Sequence, residues 1–150
     1  MHQLERNLIV NADADKVWAF LATPVNLDRL TPPELRFRIL SAVPDTMYDG
    51  LLIRYEIGIP LFGRWQWLTE IKHIEPGHSF VDEQRSGPYR FWYHYHAIEA
   101  TGDGRTRMID RVTYQLPFGP LGELVHALQV RRMLGDIFDY RAEKLKEIFP

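Results

Sequence analysis

The run Trp92-Tyr93-His94-Tyr95-His96 constrains the fold of this chain more than any other stretch. Successive side chains of a strand point to opposite faces, so Trp92, His94 and His96 share one face and Tyr93 and Tyr95 the other. Gly102-Asp103-Gly104 reads as a tight turn, and an alternating run from Arg105 to Leu116 follows it, which makes the pair a long β-hairpin. In the second strand Arg105, Arg107 and Arg111 share the wetter face, while Met108, Asp110, Val112, Tyr114 and Leu116 share the inner one. Directly opposed residues of an antiparallel pair lie on the same face, and pairing centred on Asp103 sets Ile98 against Met108, His96 against Asp110 and Trp92 against Tyr114. Two imidazoles and a carboxylate therefore line an otherwise apolar surface. Burying them is costly unless they pair, bind water or meet a ligand.

The remaining segments supply what such a hairpin needs around it. His2 to Asn11 alternates as a first strand, and Asp13 or Asp15 caps a helix built on Lys16-Val17-Trp18-Ala19-Phe20-Leu21. Pro24 begins a second short helix, Val25 to Leu30, which Pro32-Pro33 stops. Strands follow at Leu35 to Val43, Leu51 to Ile59, Arg64 to Glu75 and His78 to Ser86, the last placed with Phe80, Asp82 and Gln84 inward. After Pro117-Phe118-Gly119-Pro120 the period becomes helical from Leu121 to Ile148, with Leu124, Leu128, Leu134, Phe138, Leu145 and Phe149 as its buried stripe. Gly135 either admits a close approach of that helix to the sheet or is incidental. The chain thus reads as one α+β domain over residues 1–150: a seven-stranded curved antiparallel sheet around a long C-terminal helix, with two short helices after the first strand. Only the last helix is long enough to cover the apolar face, and the two should enclose a cavity.

Composition narrows the partners. The chain is 45% hydrophobic and 25% charged with a formal charge of -2, which argues against a general polyanion binder, so nucleic acid is not expected. No cysteine is present, which removes disulfides, thiolate nucleophiles and cysteine-ligated metals. Charges at Glu5, Arg6, Asp13, Asp15 and Lys16 interrupt the first thirty residues, so no signal peptide or membrane span is expected and a cytoplasmic location is the default.

The order of elements, with the hairpin and the Pro117-Phe118-Gly119-Pro120-Leu121-Gly122 lead into the last helix, resembles the START-like, Bet v 1-like superfamily of helix-grip proteins, also called SRPBCC domains. Phe80-Val81-Asp82-Glu83-Gln84, Gly87-Pro88, Trp92 to His96, Asp110-Arg111-Val112 and Leu116 to Gly122 are similar to a bacterial group labelled ligand-binding SRPBCC or polyketide cyclase/dehydrase-like. The resemblance implies the helix-grip fold. It does not single out an activity, because such folds serve as carriers of hydrophobic ligands, lipid transfer domains, cyclases and oxygenase components.

Three readings of His94, His96 and Asp110 stay open. They form an internal network completed by Asp82, Gln84 and buried water, or a proton shuttle in which Asp110 fixes an imidazole tautomer, or part of a metal site, since His-x-His with a carboxylate offers three ligands. No motif implies a resident cofactor or metal beyond that spacing. Tyr55, Trp65, Trp67, Trp92 and Tyr114 read as flat apolar walls for a small hydrophobic or aromatic ligand, with Asp82, Gln84, His94, His96 and Asp110 as the polar end. A polyketide cyclase or dehydratase-like enzyme is the alternative. An accessory domain acting through a partner such as an epimerase-like enzyme is another. Arg131 and Arg132 read as a solvated or salt-bridging face, or as arginines facing the cavity. Tyr93 and Tyr95, beside Arg111 and Arg107, read as cation-π packing on the outer face, with homodimerisation as the alternative.

Overall fold

The computed structural model describes the whole chain, Met1–Pro150. Strands β1 (His2–Val10), β2 (Arg38–Ile39), β3 (Leu51–Ile59), β4 (Gly63–Glu75), β5 (Ser79–Ser86), β6 (Phe91–Ala100) and β7 (Thr106–Gln115) form one sheet in the order β1-β7-β6-β5-β4-β3-β2. Every neighbouring pair is antiparallel. Helix α1 (Ala14–Leu21) and two 3-10 helices (Pro24–Leu30 and Pro33–Leu35) lie between β1 and β2. At the other end α2 (Gly119–Val125), a π turn (His126–Val130) and α3 (Arg131–Ile148) follow one another without a break. This is the α+β helix-grip architecture expected from the order of elements.

Local chemistry accounts for the boundaries. Asp13, rather than Asp15, caps α1: its carboxylate accepts from the Lys16 amide at 2.9 Å. The β6–β7 hairpin has the anticipated register, with His96 opposite Asp110, Ile98 opposite Met108 and Trp92 opposite Tyr114. Along β7 the residues Thr106, Met108, Asp110, Val112 and Tyr114 are buried, while Arg107 and Arg111 are exposed. On the outer face the Arg111 guanidinium lies over the Tyr95 ring at 5.8 Å.

Two expectations need correction. The strand read from Leu35 to Val43 is only Arg38–Ile39. Pro33 opens a further 3-10 turn, which Arg36 ends in the left-handed conformation, and the Leu40 and Ser41 amides both reach the Arg54 carbonyl, so the ladder stops. The stripe on the last helix is also misplaced at its start. Leu124 and Leu128 are 55% and 74% exposed, and the buried positions are Gly122, His126, Val130, Leu134, Phe138, Arg141 and Leu145. Leu134 lies six positions after Leu128, which puts the two about 120° apart around a regular helix, and the π turn turns His126 and Val130 inward instead. Phe149 is half-buried just beyond the helix, edge-on to Phe20.

Two apolar cores leave a place for polar groups between them. Trp67, Trp92, Val112, Tyr114, Leu134 and Phe138 belong to the larger core, and Val10, Val17, Ile98, Met108 and Leu145 to the smaller. On β6 and β7 the residues between these sets are His94, His96 and Asp110.

The chain turns from β7 into α2 by folding the Pro117 carbonyl back over the first helical turn. A Cβ at Gly122 would sit 2.1 Å from that oxygen, whereas one at Gly135 would meet nothing nearer than Arg6 Nη2 at 3.7 Å. Gly122 is therefore required by packing and Gly135 is incidental. Gly122→Ala should destabilise the protein by about 1 to 3 kcal/mol, as overpacking does. Gly135→Ala should stabilise it by roughly 0.5 to 1 kcal/mol by restoring helix propensity, with urea unfolding of the two variants as the measurement.

Candidate functional site

A cavity of about 190 Å³ lies between the concave sheet and α3, closed at one side by α1 and the 3-10 helices. Twenty of its 29 lining residues are hydrophobic, so most of its wall can only make apolar contacts. Tyr55 and Ile57 on β3, Trp67 on β4, Phe80 on β5, Tyr89, and Trp92 on β6 form the sheet side; Met133, Leu134, Ile137 and Phe138 form the helix side. Tyr55 stacks on Trp67 with centroids 5.6 Å apart, and Trp92 meets Trp67 edge-on at 5.2 Å.

The polar end is made by register. Pairing of β5 with β6 sets Asp82 opposite His94, and pairing of β6 with β7 sets His96 opposite Asp110. The short hydrogen bonds nevertheless run diagonally: His94 Nε2 lies 2.8 Å from Asp110 Oδ1, and His96 Nε2 lies 2.5 Å from Asp82 Oδ2. The contacts along the register are longer, 3.4 Å from His94 Nδ1 to Asp82 and 3.3 Å from His96 Nδ1 to Asp110. Each imidazole thus presents one nitrogen to each carboxylate. The rings stack on one another at 3.6 Å, and Phe80 lies parallel to His96 at 4.2 Å, which holds both planes in place.

Arg141 on α3 completes the cluster, its Nε donating to Asp110 Oδ2 at 3.3 Å. Asp82, His94, His96 and Arg141 line the cavity, with Asp110 behind them. Arginine at this position escaped the sequence reading; Arg131 and Arg132 are exposed, as their reading as a solvated face has it. The missed signal was spacing, since Arg141 stands three residues after Phe138 and four before Leu145 on the buried stripe.

Charges within the cluster set one another. Burial opposes ionisation of Asp110, but the Arg141 charge and the two imidazoles of His94 and His96 outweigh it and hold the carboxyl well below its usual range. Asp82 is also lowered: burial opposes this, and the charges and hydrogen bonds of His94 and His96 prevail. Burial likewise disfavours charge on His96, yet the neighbouring carboxylates of Asp110 and Asp82 raise it. His94 moves down, first by burial and then by the neighbouring His96 charge. When His96 carries its proton, two carboxylates, one arginine and one imidazolium sum to zero.

Other anticipated site residues lie elsewhere. Gln84 does not face the cavity; its side chain bonds both the amide and the carbonyl of Tyr89 and so pins the β5–β6 loop. Trp65 is 40% exposed, with its indole donating to the Phe62 carbonyl at 3.1 Å. Tyr114 is buried behind Trp92, its hydroxyl 2.8 Å from His126 Nε2, and His126 stacks on His2. Asp82, His94 and His96 bring ligand-type atoms within 4.8 Å of one another and could hold a metal ion, as could His2, Glu123 and His126.

The signs of these shifts fix a pH dependence. His96, charged more readily folded than unfolded, adds stability that is complete below about pH 6.5 and lost as pH rises through its raised folded value. Asp82 and Asp110 add stability present above about pH 4 and lost as pH falls through their lowered values. His94 opposes His96, because the unfolded chain takes up a proton below about pH 6.5 that folded His94 refuses. Imidazole NMR titrations should therefore fall on opposite sides of about 6.5. Asp110→Asn should bring the His96 midpoint down and, by leaving Arg141 buried without its partner, cost about 3 to 5 kcal/mol in urea unfolding at neutral pH.

Comparison with known proteins agrees with this architecture. Residues 8–149 match a family described as a domain of unknown function, DUF8410. None of the curated proteins is similar to the chain in sequence. Among solved structures, a START superfamily protein from Mycobacterium smegmatis superposes with a TM-score of 0.71 at 14% identity, over 99% of this chain and 97% of that one. The Zhui aromatase/cyclase from Streptomyces sp. R1128 gives 0.68 at 16% identity, over 98% and 95%. The di-domain ARO/CYC BexL also gives 0.68 at 16%, with 98% of this chain covering 46% of that one. At such identities the likeness establishes the START-like fold and no more. No helix of the chain is long and apolar enough to cross a membrane.

Proposed function

The chain belongs to the DUF8410 family, and for it we propose the binding of a small hydrophobic or aromatic molecule between the sheet and α3. One observation carries this reading: the cavity is apolar over most of its wall, yet carries Asp82, His94, His96 and Arg141 together at one end. Aromatic side chains give flat surfaces for a planar guest, and the polar end orients it. Tyr55, Trp67 and Trp92 act as walls, and the exposed Trp65 takes no part.

A fluorescent probe of matching size, 1-aminoanthracene, should bind saturably with a dissociation constant in the micromolar range. Met133→Trp, which enlarges a half-buried side chain on the helix side of the cavity, should weaken binding at least tenfold while Trp65→Ala leaves it unchanged. Absence of saturable binding to the unaltered protein would sink the proposal.

The polar end supports a second reading, an enzyme of the cyclase or dehydratase kind. Names of two similar structures, aromatase/cyclase and ARO/CYC, point the same way. His96 is the proton donor in this reading: it faces the cavity, is charged more readily than a free imidazole, and has beside it two carboxylates that stabilise its protonated form until the proton moves to the guest and leaves the imidazole neutral. His94 and Asp110 hold its orientation. His96→Gln should then abolish turnover of a polyketide-like test substrate while probe affinity stays within a few fold. A variant with reduced affinity and full turnover would rule the reading out.

A further inference from the structure

Seven of the twelve large apolar side chains left in solvent lie on two neighbouring segments. Leu61 and Phe62 stand at the turn between β3 and β4, with Trp65 just beyond them. Phe118, Leu121, Leu124 and Leu128 stand on the lead into the last helix. Gln129 donates to the Pro60 carbonyl at 3.0 Å, which ties the two segments side by side. Leu121, Leu124 and Leu128 recur at intervals of three and four, so they share one face of the rod, turned away from the buried Gly122, His126 and Val130. Leu61, 90% exposed, and Phe118, 77% exposed, both hold φ at 71°, a left-handed backbone that disfavours bulky side chains and suits glycine or asparagine. So exposed, neither side chain gives the fold much burial in return.

The charge beside these side chains differs in sign from that of the whole. The chain carries a formal charge of -2, whereas residues 58–65 and 118–132 hold Arg64, Arg131 and Arg132 against a single carboxylate, Glu123. Glu56 takes up Arg64, and Glu123 is bonded to His2. Arg131 and Arg132 follow Leu128 by three and four residues, so they flank the end of the leucine face; both are exposed and neither is in an ion pair. We infer that this surface docks on a bilayer containing anionic lipid, with Leu61, Phe118 and the leucine face in the interface and Arg131 and Arg132 against the phosphates. Leucine, phenylalanine and a tryptophan suit the boundary between head groups and acyl chains, and arginines gain from the negative surface. Side chains projecting from turns enter such a phase without a matching pocket. A second copy of the chain fits less well, because pairing the patch with itself would bring two sets of cations to a face with no free carboxylate to receive them. Such docking is independent of what the cavity holds.

Vesicles of phosphatidylglycerol and phosphatidylcholine in equal parts should carry the unaltered protein with them in flotation. Vesicles of phosphatidylcholine alone should bind it about tenfold more weakly or less still, the effect of two arginines near an anionic surface. Arg131→Gln combined with Arg132→Gln should remove that preference. Leu61→Asn combined with Phe118→Asn should weaken binding to the mixed vesicles about tenfold or more, and asparagine accepts the left-handed backbone, so the fold is kept. Should that variant fail to fold, the unaltered protein serves instead. The emission of Trp65, the one exposed tryptophan, should shift to shorter wavelength with the mixed vesicles but not with phosphatidylcholine alone, and Trp65→Phe should remove the shift. No binding to the mixed vesicles, equal binding to both kinds, or binding that the asparagine variant leaves unchanged overturns the inference. So does a dimer in sedimentation equilibrium that Leu61→Asn with Phe118→Asn dissolves, since a second copy would then cover the patch.

Discussion

Asp82 and Asp110 are carried into an apolar interior by the alternation of β5 and β7, and carboxylates are tolerable there only where positive groups reach them. The protein meets that need with side chains from two layers. His94 and His96 come from the strand between the two aspartates, and Arg141 comes from α3 across the cavity floor. One cluster therefore ties β5, β6, β7 and α3 together through polar contacts between the two apolar cores. Its diagonal hydrogen bonds and stacked imidazoles fix ring orientation without help from the loops.

The same cluster explains why the cavity has two unlike ends. The groups of the polar cluster are held in place by their mutual hydrogen bonds, and the rigid aromatic side chains on β3, β4 and β6 do not fill the remaining space. Tyr55, Trp67, Tyr89 and Trp92 pack on one another in stacked, tilted and edge-on pairs, which sets their positions. The hollow is thus a consequence of two well-packed neighbours that do not fit each other. Its chemistry follows from them: apolar contact over most of the wall and titratable groups at one end.

Much of the architecture was legible because it depends on short-range rules. The alternation of Trp92, His94 and His96, with a glycine-rich turn at residues 102–104, is sufficient to set His96 opposite Asp110. What escaped depended on distance or on irregular helix geometry. Arg141 looks like any helical arginine until the apolar spacing around it is followed through Phe138 and Leu145. Leu124 and Leu128 look buried until the π turn changes which face of the rod meets the sheet. Gln84 and Trp65 sit at the right parity for the cavity, but both are drawn into bonds with nearby backbone, Gln84 to Tyr89 and Trp65 to Phe62. Parity decides a face. It does not decide whether a side chain reaches across that face or folds back on its own loop.

The amino-acid sequence by itself determined the hairpin register, the order of elements and the family of folds, because hydrogen-bonded pairing with period two leaves one choice once the turn is known. Only the tertiary structure decided which atoms meet. The diagonal pairing of His94 with Asp110 and His96 with Asp82, the approach of Arg141 and the unpaired indole of Trp67 all arise from the way α3 and its aromatic neighbours settle on the sheet. Those contacts join residues far apart in the chain, and their geometry is set by packing between layers, which no local pattern encodes.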